Sequence, residues 1–211
     1  VSSNGRRVGR PRAQQRPESG LAPREELLAA AAELFTTRGY TATSTRALAE
    51  RAGMRQASMY HYVGGKEELL AELLDSTVSP SLALARTLVA DVARPAEHRL
   101  WELARSDAEL LCSGPHNLGA LYLLPEVAAP RFAPFREARA ALKSAYTELL
   151  SATAPGAALE PPDLALRADL LFALIEGLIL ANRSTPVFAA AAADAALRVA
   201  GVPFRVPRAL S

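Results

Sequence analysis

Only one cysteine, Cys112, occurs in the chain. No intrachain disulfide is possible, and no CxxC pair or His/Cys cluster offers metal-ligand spacing. Aromatic residues make up 6% of the sequence, so a core must be built mainly from Ala, Leu and Val. β-branched residues are sparse, whereas Ala and Leu are strong helix formers, which favours an all-α fold. No alternating run is long enough to argue a sheet, and no internal repeat is visible. No apolar stretch reaches the ~18 uninterrupted residues of a membrane span. The basic N-terminus is not followed by an apolar core, so it does not read as a secretory signal. These absences point to a cytoplasmic protein with no membrane association, no metal and no cofactor.

What is present is length, apolar content and an uneven charge. The 211 residues are half hydrophobic, enough for one large domain or two modest ones. The formal charge of +2 hides an asymmetry: residues 1–66 carry eleven Arg/Lys against five Glu, and residues 67–211 carry thirteen against seventeen acids. A basic first third on an acidic body suggests that the first third meets a polyanion. Arg outnumbers Lys 22 to 2, but this bias runs through the whole chain and reads as compositional.

Residues 1–19 form a Gly-, Pro-, Ser- and Gln-containing stretch with five arginines and no acid before Glu18; it reads as a disordered basic arm. Such an arm can add to DNA affinity, through phosphates or the minor groove at Gly9-Arg10-Pro11-Arg12, or can be a solvated tail. A first helix is expected over 23–38, with Pro23 at its start, Leu27, Ala31, Leu34 and Phe35 on one face and Gly39 as its stop. Thr43 and Ser44 then offer caps to a short helix through Arg51. Gly53 lies in a turn, and a second short helix spans 55–62. Leu48 and Met59 are its expected inward anchors, with Ala49 and Ala52 small enough for close crossing. After Gly64-Gly65 a longer helix begins near Lys66. Further helices are expected near 80–93, 96–113, 131–152, 163–183 and 186–200, punctuated by prolines. The four-proline segment between Gly114 and Pro134 has room for one short helix around 118–124.

A recognition helix must turn small or hydrogen-bonding side chains toward base edges while its flanks hold phosphates. Arg55, Gln56, Ala57 and Ser58 lead the second short helix: Gln can pair with adenine, Ala can meet a thymine methyl, and Ser can meet base or phosphate. Tyr60, His61 and Lys66 lie further on and can donate to backbone oxygens. The block Thr43-x-Thr45-Arg46-x-Leu48-Ala49-x-x-Ala52-Gly53-Met54-x-x-x-Ser58-Met59-Tyr60-x-Tyr62-Val63-x-x-Lys66-x-x-Leu69-Leu70 resembles the DNA-binding domain of the tetracycline-repressor (TetR) family. Ala32-Glu33-Leu34-Phe35-x-x-x-Gly39-Tyr40-x-Ala42-Thr43 resembles that family's first helix and its exit. The likeness covers about residues 24–74. It implies that Arg46 reaches a base, that Gln56 and Ala57 read bases, and that Thr45, Ser58, Tyr60, His61 and Lys66 touch phosphates. Three positions depart from the pattern: Arg55 stands for a small polar or acidic residue, Val63 for Phe, and Gly65 for a Ser or Asn cap. The first adds positive charge near the groove.

The resemblance further implies an N-terminal three-helix helix-turn-helix domain, here 20–65, and a larger helical domain over 66–211 that dimerises through about 163–200. The segment 164–181 is apolar almost all round, more than one partner face needs, and Ala189–Ala193 permits close helix contact. The partners so implied are a near-palindromic DNA duplex, a second copy and a small apolar or amphipathic effector. An effector pocket is expected among Trp101, Leu103, His116, Tyr122, Phe132, Phe135, Tyr146, Phe172 and Glu176. For each aromatic the alternative is plain core packing; for Glu176 it is a partner across the dimer or solvent. The functional expectation is a sequence-specific repressor released from its operator by the effector. The alternative is a constitutive or protein-controlled repressor, and a pocket below the ~300 Å³ lower end for ligand sites favours it. Cys112 and His116, four apart, lack an orienting third group, so no enzyme is expected.

Overall fold

The structure is a computed structural model that describes residues 20–181 and 185–203; the expected arm over 1–19 lies outside them. Helix α1 runs Pro23–Thr37. Its first turn is closed by Glu25, whose carboxylate accepts the Ala22 N–H at 2.8 Å. Leu27, Ala31, Leu34 and Phe35 are buried together. Gly39, at φ 89°, turns the chain in a conformation an L side chain resists. Thr43 Oγ1 donates to the Gly39 carbonyl at 2.8 Å, which holds that turn shut.

Helices α2 (Thr45–Arg51) and α3 (Gln56–Met59) follow. Ser44 caps α2, its hydroxyl accepting the Ala47 N–H at 3.1 Å. Leu48, Ala49 and Met59 are fully buried and Ala52 is nearly so, so small residues do let the two helices cross. The helix expected over 55–62 is shorter. Beyond Met59 the His61 and Tyr62 amides bond three residues back, to Ser58 and Met59, as tight turns do. The glycine pair that follows ends the helical run.

Helices α4 (Lys66–Ser76) and α5 (Ser79–Ala90) are separated by a break at Thr77-Val78, where Pro80, lacking an N–H, fits only a first turn. Helix α6 (Ala96–Cys112) is the centre of the body. It packs on α10 (Pro186–Val199) with Ala108 against Ala189 and Ala192. Helix α7 (Ala133–Ser151) packs against α5 and α9 (Pro161–Glu176). The expected helix over 163–183 tightens at Gly177 into a 3-10 turn through Leu180. A one-turn helix, α8 (Ala154–Ala157), was not foreseen; the Thr153 hydroxyl caps it. The proline-rich segment forms three 3-10 turns, Leu118–Leu123, Pro125–Ala128 and Pro130–Phe132. No strand occurs among the described residues. No described helix is long and apolar enough to cross a membrane.

Candidate nucleic-acid interface

Helices α2 and α3 turn one face inward and the other to solvent. Arg46, Arg55, Gln56, Ala57, Tyr60 and His61 are exposed, and Thr45, Ser58 and Lys66 are half-buried. The residues expected to read bases and hold phosphates thus share the surface of one small unit. Tyr62 is exposed at 43%, close to Tyr60 at 53%. Thr45 Oγ1 accepts hydrogen bonds from Gln56 Nε2 at 2.9 Å and from Tyr60 Oη at 3.4 Å. Arg46 Nε donates to Glu50 at 2.8 Å, with both side chains largely in water. An exposed pair of this kind is weak and is readily exchanged for a phosphate.

Lys66 is anchored on one side. Its Nζ donates to the Tyr40 and Thr43 carbonyls at 3.0 and 3.2 Å and lies 4.3 Å over the Tyr40 ring. An ammonium carries three donors, so a third N–H is left for an outside oxygen.

Arg24 ties this unit to the body. Its guanidinium donates to the Tyr62 carbonyl at 2.7 Å, to Glu68 at 3.0 Å and to Glu72. Glu68 in turn accepts the Gly64 N–H at 2.8 Å. That backbone hydrogen bond, followed by the Arg24 pair, holds the Glu68 carboxyl below its ordinary value. Glu68 thereby offsets the missing cap at Gly65. One further link joins head and body, Thr41 Oγ1 donating to Glu126 at 2.6 Å; within the body, Arg131 lies 3.8 Å from Glu67 on α4. Arg24→Ala is expected to loosen the start of α4 by about 1 kcal/mol, the scale of a partly exposed ionic network. Faster hydrogen exchange at the Gly64 and Leu69 amides, with unchanged exchange in α6, would check this.

The body holds a cavity of about 10 Å³ lined by Thr77, Val78, Asp107, Leu111, Tyr122, Arg139, Leu142, Phe172 and Glu176. That is space for one water molecule. Of the nine residues expected in an effector pocket, Tyr122, Phe172 and Glu176 line it. Tyr146 backs it, donating to Asp107 at 3.1 Å, and Phe135 packs on Tyr122 with ring centroids 5.0 Å apart. The other four do not line it. Leu103 and Phe132 are core residues, and Trp101 Nε1 donates to Asp194 on α10 at 2.9 Å. His116 sits near Glu33 of α1. Glu176 is paired within the chain: Arg139 forms a bidentate pair with it.

Asp107 is the residue the sequence reading missed. It falls on the inward stripe of α6 with Leu100, Leu103, Ala104 and Leu111, so its spacing carried the signal although its chemistry argued against burial. Ser81 and Tyr146 donate to its two oxygens at 2.8 and 3.1 Å. Burial nonetheless pushes its carboxyl up to about 6. Burial also raises the Cys112 thiol, the direction opposite to that of an activated nucleophile.

Comparison with known proteins agrees with this geometry. The family model for bacterial regulatory proteins of the tetR family matches residues 27–73. The HTH-type transcriptional repressor KstR2 of Mycobacterium tuberculosis is 40% identical over 74 residues. That stretch is 35% of this chain and 37% of KstR2, so the chain spans just over a third of this curated relative. The solved KstR2 structure superimposes with a TM-score of 0.70 at 25% identity, over 90% of this chain and 96% of that one. The structure of Mycobacterium smegmatis AmtR is 44% identical, with a TM-score of 0.81, over 90% of this chain and 92% of AmtR. With likeness at that level along nearly its whole length, the chain belongs to the TetR family of bacterial regulatory proteins.

Proposed function

We propose that this chain is a homodimeric, sequence-specific DNA-binding repressor acting in the cytoplasm. The observation that carries the reading is the division of α2–α3: a sealed apolar side at Leu48, Ala49 and Met59, and an open polar side at Arg46, Arg55, Gln56 and His61. A unit this small gains little by exposing so many hydrogen-bonding and basic groups together unless a polyanion covers them. Two such heads about one helical turn apart, roughly 34–36 Å, match successive major grooves of a near-palindrome. The second copy has a surface to use. Helix α9 buries Ala168, Leu171 and Phe172 inward yet leaves Leu166 and Leu170 59% and 55% exposed, with Leu180 beyond them.

Control of DNA binding has two readings. Effector release through the cavity beside Asp107 requires that cavity to open from about 10 Å³ to at least the ~300 Å³ of a small-molecule site. The second reading is a repressor that is constitutive or is controlled by a protein partner. In either case the full chain should select a near-palindrome from randomised duplexes. Its affinity should then fall with salt at a slope of about −0.9 per phosphate contacted. A monomer with no salt-sensitive affinity for any duplex would end this reading.

A further inference from the structure

We propose that Thr45 is a positioning residue that fixes the side-chain amide of Gln56 in the orientation that reads adenine. The inference rests on the DNA-binding reading and adds to it a residue that sets base choice.

Thr45 opens α2 and Gln56 opens α3, so the two arms of the motif meet through these side chains, eleven residues apart. A threonine hydroxyl has two acceptor lone pairs and one hydrogen. Gln56 Nε2 and Tyr60 Oη fill the acceptor side of Thr45 Oγ1, at 2.9 and 3.4 Å. The hydroxyl hydrogen is therefore turned away from both donors and remains available to an oxygen outside the protein. On Gln56, one N–H is committed to Thr45. What remains is the Oε1 acceptor and one N–H, a donor–acceptor pair. Adenine presents the complement in the major groove, an N7 acceptor beside an N6 donor; guanine presents two acceptors, which a held amide with one remaining donor cannot satisfy in two-point fashion. Without the brace, Gln56, exposed at the surface, would sample both amide orientations and several rotamers, and adenine and guanine would be separated less sharply.

The test is a parallel selection from a randomised duplex library with the full chain and its Gln56→Ala, Thr45→Val and Thr45→Ser variants. Valine keeps the branched shape without the acceptor, and serine restores the acceptor. The position read by Gln56 is the one whose preference disappears in Gln56→Ala. At that position the parent chain is expected to favour adenine over guanine by about tenfold. The ratio should shrink to about twofold in Thr45→Val, with an unchanged thermal midpoint, and return in Thr45→Ser. Guanine preferred at that position overturns the proposal. So does a Thr45→Val variant that binds every duplex more weakly while keeping the adenine ratio, since Thr45 would then serve phosphate contact alone. If the parent chain enriches no sequence at all, the DNA-binding reading falls together with the proposal.

Discussion

Replacing Leu166 and Leu170 together by arginine is expected to give a folded monomer whose affinity for its selected duplex drops by two orders of magnitude or more. On α9 the exposed residues Leu166, Leu170 and Ala173 recur at spacings of four and three, and Gly177 and Leu180 continue the row through the 3-10 turn. That is the spacing of a helix seam. The opposite face of the same helix, with Ala168, Leu171, Phe172 and Ile175, is already buried in the chain's own core. The double substitution therefore leaves that core intact and places two charges where a second copy would pack. Linking two heads raises apparent affinity by roughly 10²–10⁴-fold through effective concentration, and this gain vanishes in the monomer. Sedimentation equilibrium reads the first effect and fluorescence anisotropy on the selected duplex reads the second. A variant that remains a dimer would show that the copies meet elsewhere.

The second large effect concerns Asp107, and it is a gain. Its carboxylate is fully enclosed and among the described residues is met by two hydroxyls and no cationic side chain, since Arg139 is engaged by Glu176. Burial pushes its carboxyl up from 3.8 to about 6. An acid raised in the folded state is ionised more readily in the unfolded chain. This group's contribution to stability is therefore greatest below pH 3.8, falls as pH rises toward 6 and stays lost above it. Asp107→Asn keeps the shape without the charge, and the Ser81 and Tyr146 hydroxyls can rotate to suit an amide. At pH 7.5 it is expected to stabilise the protein by about 2–3 kcal/mol, or roughly 5–10 °C in thermal midpoint. It should also flatten the change in stability between pH 4 and 6. No gain at pH 7.5 would mean that the buried carboxylate is better compensated than its two hydroxyl partners suggest.

Much of the fold was legible because local signals agreed. Gly39, Ser44 and Gly53 mark turns by conformational need, and Leu48 with Met59 mark the inside of the motif by spacing. The head reads well because every element in it is short and specified by its neighbours. The body reads less well. Helix α9 is apolar on both faces, so periodicity alone could not say which face meets the chain and which a second copy. The lining of the cavity was legible only in part. Tyr122, Phe172 and Glu176 come together at the cavity, but Trp101 and His116 are drawn to Asp194 and toward Glu33 instead. Those pairings join residues far apart in sequence, which no short-range pattern encodes. Asp107 was passed over for a different reason: carboxylates are rarely interior, and here helical phase overrides that habit.

The Arg24 network has a mechanical consequence. By gripping Glu68 and Glu72, it welds the first turns of α4 to α1, so the DNA-facing unit and most of α4 turn as one piece. Below them the helical run is interrupted at Thr77-Val78, where the Tyr122 hydroxyl bonds Thr77 at 2.7 Å. The eleven residues of α4 make a lever about 16 Å long. A ten-degree swing at that pivot would carry the far end of α4 sideways by about 3 Å, close to the width of one base-pair step. A small displacement of Tyr122 passed to that pivot would thus be magnified at the far end of α4.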